Sequence, residues 1–154
     1  MNIIELKQRP PSVDNTRLNR IFEQFAALLN EVRKKELPPI ISDAINKDIL
    51  EINATHLEGN DLKKLMKKKQ SDMLKLLESK LKIVPKNHYR NTWLALGMAA
   101  FGLPFGFLFG RIMDNPGLLA IGLPIGMVIG MSIGAGMDKK AIAEGRQLDI
   151  EIKY

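Results

Sequence analysis

Two stretches of the chain hold no charged residue: Thr92–Gly110, TWLALGMAAFGLPFGFLFG, and Gly117–Met137, GLLAIGLPIGMVIGMSIGAGM. At 1.5 Å per residue they give helices of about 28–31 Å, the thickness of a bilayer's hydrocarbon core. Neither has a polar face, which a core helix of a soluble protein seldom lacks at that length. The pattern predicts membrane spans at residues 92–112 and 117–137. The short RIMDNP link makes the two helices antiparallel, with both ends of the hairpin on one side of the membrane.

The N-terminal part repeats differently. Leu18, Ile21, Phe22, Phe25, Leu28, Leu29 and Val32 follow the three-four spacing of a one-sided helix. That helix is expected to open near Pro10, Pro11 and Ser12 or Asn15 and to run to about Glu36, where Leu37-Pro38-Pro39 stops it. Ile41, Ile45, Ile49 and Ile52 mark a second helix over Ile40–Leu57, with His56 half-buried on or beside the isoleucine stripe. After a break at Gly59-Asn60-Asp61, with Asn60 or Asp61 as cap, a third helix runs from Leu62 to about Val84. Its apolar face holds Leu62, Leu65, Met66, Met73, Leu76 and Leu77. Lys64, Lys67, Lys68, Lys75 and Lys82 fall on the opposite face at 100° per residue.

Near the C-terminus, Leu148, Ile150, Ile152 and Tyr154 alternate with charged residues, the period of a strand. Such a short β-strand needs a partner, either the NIIELK segment or a neighbouring subunit; a frayed tail is the alternative. The expected architecture is an all-α membrane protein in three parts. Residues 1–88 form a cytoplasmic domain of about three helices, 89–140 an antiparallel transmembrane hairpin, and 141–154 a cytoplasmic tail.

Charge sharpens this division. The net charge of +6 over 154 residues is uneven: residues 62–90 carry +8, residues 1–61 carry −2, and residues 92–154 balance at zero. Lys80, Lys82, Lys86, His88 and Arg90 precede the first span, and Lys139, Lys140 and Arg146 follow the second, whereas the link offers Arg111 offset by Asp114. The positive-inside rule then places both termini in the cytoplasm, in a multi-pass protein of the inner membrane. Trp93, Arg90, Lys139 and Lys140 are expected at the membrane interface. The start MNIIELKQRPP lacks the basic-then-apolar pattern of a cleavable signal peptide, so targeting is expected from the internal spans.

The glycines of the spans are spaced. Gly102, Gly106 and Gly110 recur every fourth residue, as do Gly122, Gly126, Gly130 and Gly134. Each set forms a stripe on which helix backbones approach closely. GLPFGFLFG and GLPIGMVIG repeat the pattern GLPxGxxxG, so Pro104 and Pro124 are each expected to bend a helix. These stripes either pack the two helices together or, in a ring of hairpins, help to enclose a pore. Seven such glycines exceed what one hairpin contact needs, which favours homo-oligomers.

The lysines of the third helix admit three readings: a solvated face, contact with anionic lipid, or phosphate binding. With an unbroken helix, Lys63–Lys69 lies about 25–40 Å from its membrane end, beyond a Debye length of about 8 Å, which favours phosphate over lipid there. No aromatics are interleaved, so readout would be of the nucleic-acid backbone rather than of sequence. No enzyme is expected. The chain has no Cys and two His, and it lacks a carboxylate pair, a phosphate-cradling loop and a metal-ligand cluster. No cofactor or metal is implied.

The segment GLPIGMVIGMSIGAGMDKKAIAEGRQLD resembles the glycine-rich hairpins of small bacterial membrane proteins. A basic helical domain followed by a two-helix hairpin is similar to membrane effectors of bacterial anti-phage defence, in particular the Hailong type. These are oligomeric ion channels held shut by single-stranded DNA from a partner nucleotidyltransferase. The resemblance implies that Lys63, Lys64, Lys67, Lys68 and Lys75 contact a DNA backbone and that the glycine helices line a channel. A basic approach suits anions. The alternative, from another class, is a membrane-tethered adaptor whose bundle binds a protein partner.

Overall fold

The computed structural model describes residues 2–7, 16–115, 117 and 119–152. These residues are helical without a β-strand, in five helices: α1 Thr16–Arg33, α2 Pro39–Ala54, α3 Gly59–Leu81, α4 His88–Ile112 and α5 Leu119–Ala143. Helices α4 and α5 are long and apolar enough to cross a membrane. The chain divides into two compact units, residues 1–84 with 148–154 and residues 85–147.

The first unit is a helical domain in which α3 packs against both α1 and α2. Its core is the set of positions that the helical spacing singled out. Phe25, Leu28, Leu29 and Val32 of α1, Ile45, Ile49 and Ile52 of α2, and Met66, Met73 and Leu77 of α3 are buried. Leu74, absent from the expected stripe, is buried as well. The expected starts of α1 at Pro10, Pro11, Ser12 or Asn15 lie outside the described residues. Pro39 opens α2 at a position where its missing N–H costs no helical hydrogen bond. Neither Asn60 nor Asp61 caps α3; Glu58 precedes it in extended conformation and makes no capping hydrogen bond through its side chain. Helix α2 ends at Ala54, short of Leu57, so His56 lies in the connection and is exposed rather than half-buried on the stripe.

Two extended segments complete this unit. Residues 2–7 lie along α2, where asparagine side chains substitute for a neighbouring strand. Asn46 accepts from the Ile4 N–H at 2.8 Å and donates to the Asn2 carbonyl at 3.2 Å. One heptad on, Asn53 accepts from the Lys7 N–H at 2.8 Å and donates to the Glu5 carbonyl at 3.0 Å. Arg33 of α1 adds hydrogen bonds to the carbonyls of Ile3 and Ile4 at 3.3 and 3.0 Å. The alternating C-terminal segment is not a β-strand. Leu148 is fully buried in the helical core, with Ile150 and Ile152 packed partly against it. Its backbone ties are separate: Leu148 N–H donates to the Val84 carbonyl at 2.9 Å, and Asp149 N–H to the Glu31 carboxylate at 3.1 Å. The period-two pattern thus records one side facing a helical surface rather than a sheet. Tyr154 lies outside the described residues.

The second unit is the antiparallel pair α4 and α5. Both helices extend past the apolar runs, α4 by starting at His88 and α5 by ending at Ala143. Their axes are about 37 Å long at 1.5 Å per residue. Helix α4 contains one wide turn, a π segment over Met98–Gly102, in which Leu103 N–H reaches the Met98 carbonyl five residues back. Pro104 follows directly. Its ring would press on the carbonyl four residues earlier, and a widened turn there makes room. Pro124 sits inside α5 without such a turn among the elements described. Pro116 of the link lies outside the described residues.

Candidate functional sites: the glycine seam and the lysine face

The glycines of the two spans face each other within one hairpin. A Cβ on Gly122 would run into the backbone of Gly102 and Gly106 (to the Gly106 Cα at 2.5 Å). One on Gly126 would meet the Gly97 carbonyl at 2.5 Å and the Gly102 Cα at 2.6 Å. One on Gly130 would collide with the Trp93 carbonyl, and one on Gly134 would lie 2.5 Å from the Arg90 Cα. Only residues without a side chain permit so close an approach. Gly102 and Gly106 belong to this seam; Gly110 is half-buried in the last turns of α4.

One member was not foreseen. The four-residue spacing points from Gly102 back to Met98, but the extra residue in the π turn puts Gly97 on the seam instead. Pro104 and Pro124 point away from it and are exposed. Around the seam the outer surface is apolar. Leu96, Leu103, Phe105, Phe107, Leu108, Phe109, Ile121, Ile125, Val128 and Ile133 are all exposed.

Gly122, Gly126, Gly130 and Gly134 lead, at the same spacing, to Asp138. Its side chain is buried and accepts from the backbone N–H groups of Tyr89 at 3.1 Å and Arg90 at 2.9 Å. These belong to the first turn of α4, where N–H groups lack a partner within the helix. A carboxylate 48 residues away in sequence thus does the work of an N-cap. Asp138 is not among the residues singled out from the sequence. Its place four residues beyond Gly134 was the available signal. Trp93 is half-buried, while Arg90, Lys139 and Lys140 are exposed.

On α3, Lys64, Lys68 and Lys75 are exposed and Lys63 and Lys67 half-buried at the flank. From Lys63 to Lys75 the face is about 18 Å long, the span of about five phosphates at 3.4 Å per strand position. Lys64 lies 3.5 Å from Asp61. Lys69 does not belong to the face. Its ammonium donates to Asp48 at 2.8 Å and Glu51 at 2.6 Å, tying α3 to α2. These hydrogen bonds hold the Lys69 pKa above the ordinary lysine value, and the Lys69 bond holds Glu51 below the ordinary carboxylate value. Lys82, expected as the last residue of the basic face, ends the helix instead. It adopts a left-handed conformation (φ 55°) and its N–H turns back to the carbonyls of Leu77 and Glu78. The helix therefore does not run unbroken to about Val84, and no distance from Lys63–Lys69 to a membrane follows from its length.

Among the described residues, no three His, Cys, Asp or Glu side chains cluster as metal ligands. The fold so defined is an all-helical protein whose hairpin joins two helices of bilayer length through a side-chain-free seam. Comparison with known proteins finds no protein family, curated protein or solved structure that matches the chain.

Proposed function

We propose that the hairpin inserts in the inner membrane with both termini in the cytoplasm, and that several copies assemble into a channel or pore. In this reading the basic helical domain binds single-stranded nucleic acid, which controls opening, and the conducted ion is an anion. A nucleotidyltransferase encoded nearby would supply the oligonucleotide. The observation that carries the membrane part is the exposed apolar surface on both helices. Soluble proteins rarely expose contiguous apolar patches of more than a few hundred Å². The exposed amines of Lys64, Lys68 and Lys75, flanked by Lys63 and Lys67, support a polyanionic ligand read through its backbone.

Purified protein in liposomes tests this reading, with currents recorded with and without oligonucleotide. Oligonucleotide-dependent current is expected; silence under both conditions removes the channel. Changing Lys63, Lys64, Lys67, Lys68 and Lys75 together to Glu is expected to abolish oligonucleotide binding, and retained binding removes that part.

A second reading is favoured by a specific observation. The seam glycines meet within one hairpin, so their number no longer argues for contacts between copies. A membrane-tethered adaptor, with the hairpin as anchor and the bundle as docking site for a protein, fits that packing. It predicts a non-conducting hairpin and partner binding indifferent to the five lysines.

A further inference from the structure

Asp138 is the only buried acidic side chain among the described residues, at 6% exposure. It ends a stripe on which Gly122, Gly126, Gly130 and Gly134 present bare backbone to α4. Contacts along such a stripe are non-directional and short in range. At its end stand two charge-assisted hydrogen bonds, from Tyr89 N–H at 3.1 Å and Arg90 N–H at 2.9 Å. Asn87, immediately before α4, is left-handed (φ 58°) and makes no capping hydrogen bond through its side chain, while the His88 N–H donates to the Pro85 carbonyl at 3.3 Å. At the other end, the chain itself joins the helices through residues 113–118.

We infer that Asp138 is a releasable clasp, so that the hairpin opens from the Asp138 end and hinges at the loop end. A glycine seam suits such a motion. Its backbones separate without unlocking interdigitated side chains, and the directional hydrogen bonds from Asp138 stand at one end of it. Any influence that draws the carboxylate from the α4 N-terminus frees the first turn of α4 and parts the helices there. Under the channel reading, on which only this consequence rests, clasp release is the opening motion.

The chain has no Cys, so spin labels on introduced cysteines report on chosen positions alone. One pair, at Asn91 and Ile142, reads the clasped end, and another, at Leu108 and Ile121, reads the loop end. All four positions are exposed. In full-length protein in liposomes, Asp138→Ala is expected to lengthen and broaden the distances at the clasped end while the loop end keeps its distribution. Asp138→Asn, which retains an acceptor oxygen without the charge, is expected to do so less. An unchanged clasped end in Asp138→Ala overturns the proposal. Equal broadening at both ends also overturns it, since that is loss of the hairpin rather than opening. Currents from the same samples keep the two readings apart: an end-selective distance change without current supports the clasp and removes the channel.

Discussion

The helical domain and the hairpin solve the problem of packing helices in opposite ways. In the domain, Phe25, Leu28, Ile49, Met66 and Leu77 turn inward and fill the space between helices with side-chain volume. In the hairpin the inward positions are glycines, the backbones themselves touch, and Phe105, Phe107 and Phe109 turn outward. With the hairpin in a membrane, as proposed, the contrast follows from the surroundings, which decide where bulk belongs. In water, burying apolar area drives helices together. In lipid that drive is absent and close backbone contact takes its place.

Substitutions that exchange one solution for the other break the comparison most sharply. Phe25→Ala removes the largest fully buried side chain of the domain and is expected to destabilise it by about 3–5 kcal/mol, read as a shift in the urea midpoint of the domain's transition. Gly130→Ala makes the reverse error, adding a Cβ where the Trp93 carbonyl already stands. A loss of about 1–3 kcal/mol of hairpin stability is expected, measured by unfolding in mixed detergent micelles. Gly136→Ala is its control. A Cβ there meets nothing within 4 Å, so this variant should gain about 0.5–1 kcal/mol from helix propensity.

Charge sharpens the comparison at a smaller scale. Glu51 has its pKa lowered from 4.5 chiefly by the Lys69 hydrogen bond, so its contribution is present above about pH 4.5 and is lost as pH falls through the lowered value. Lys69 is shifted the other way from 10.5; its contribution is complete below about pH 10.5 and fades as pH rises through the raised value. Denaturant melts across the acid range should therefore show stability falling below about pH 4.5, with a shallower fall in Glu51→Gln. Asn53→Ala is expected to cost the domain about 1 kcal/mol for the lost hydrogen bonds. It should appear as faster amide exchange at Lys7, whose N–H that side chain accepts.

Much of this was legible in the sequence, for reasons that differ by region. The stripes of α1 and α2 were readable because burial on one face imposes a period, and Ile41, Ile45, Ile49 and Ile52 keep it without exception. The uncharged runs gave away α4 and α5 through length and composition alone. Gly97 was missed because the period changes locally: the π turn before Pro104 shifts the register by one residue. Asp138 was missed because its partners are backbone groups, which leave no mark on residue identity. The C-terminal alternation misled because an extended segment pressed against helices shows the same period as a strand. Lys82 misled in another way, since no Gly or Asn announced its left-handed turn.

The hydrogen bond from Leu148 N–H to the Val84 carbonyl has a consequence for modularity. The chain leaves the helical domain and returns to it at backbone atoms 2.9 Å apart, so residues 85–147 are an insertion in the sequence of that domain. A loop of about 2–5 residues suffices to bridge chain ends that close. A chain running 1–84, short loop, 148–154 should keep the core that includes Leu148 and dissolve without detergent. On that outcome the domain is a separable cassette, and the hairpin an element that evolution or an engineer is able to exchange without rebuilding its host.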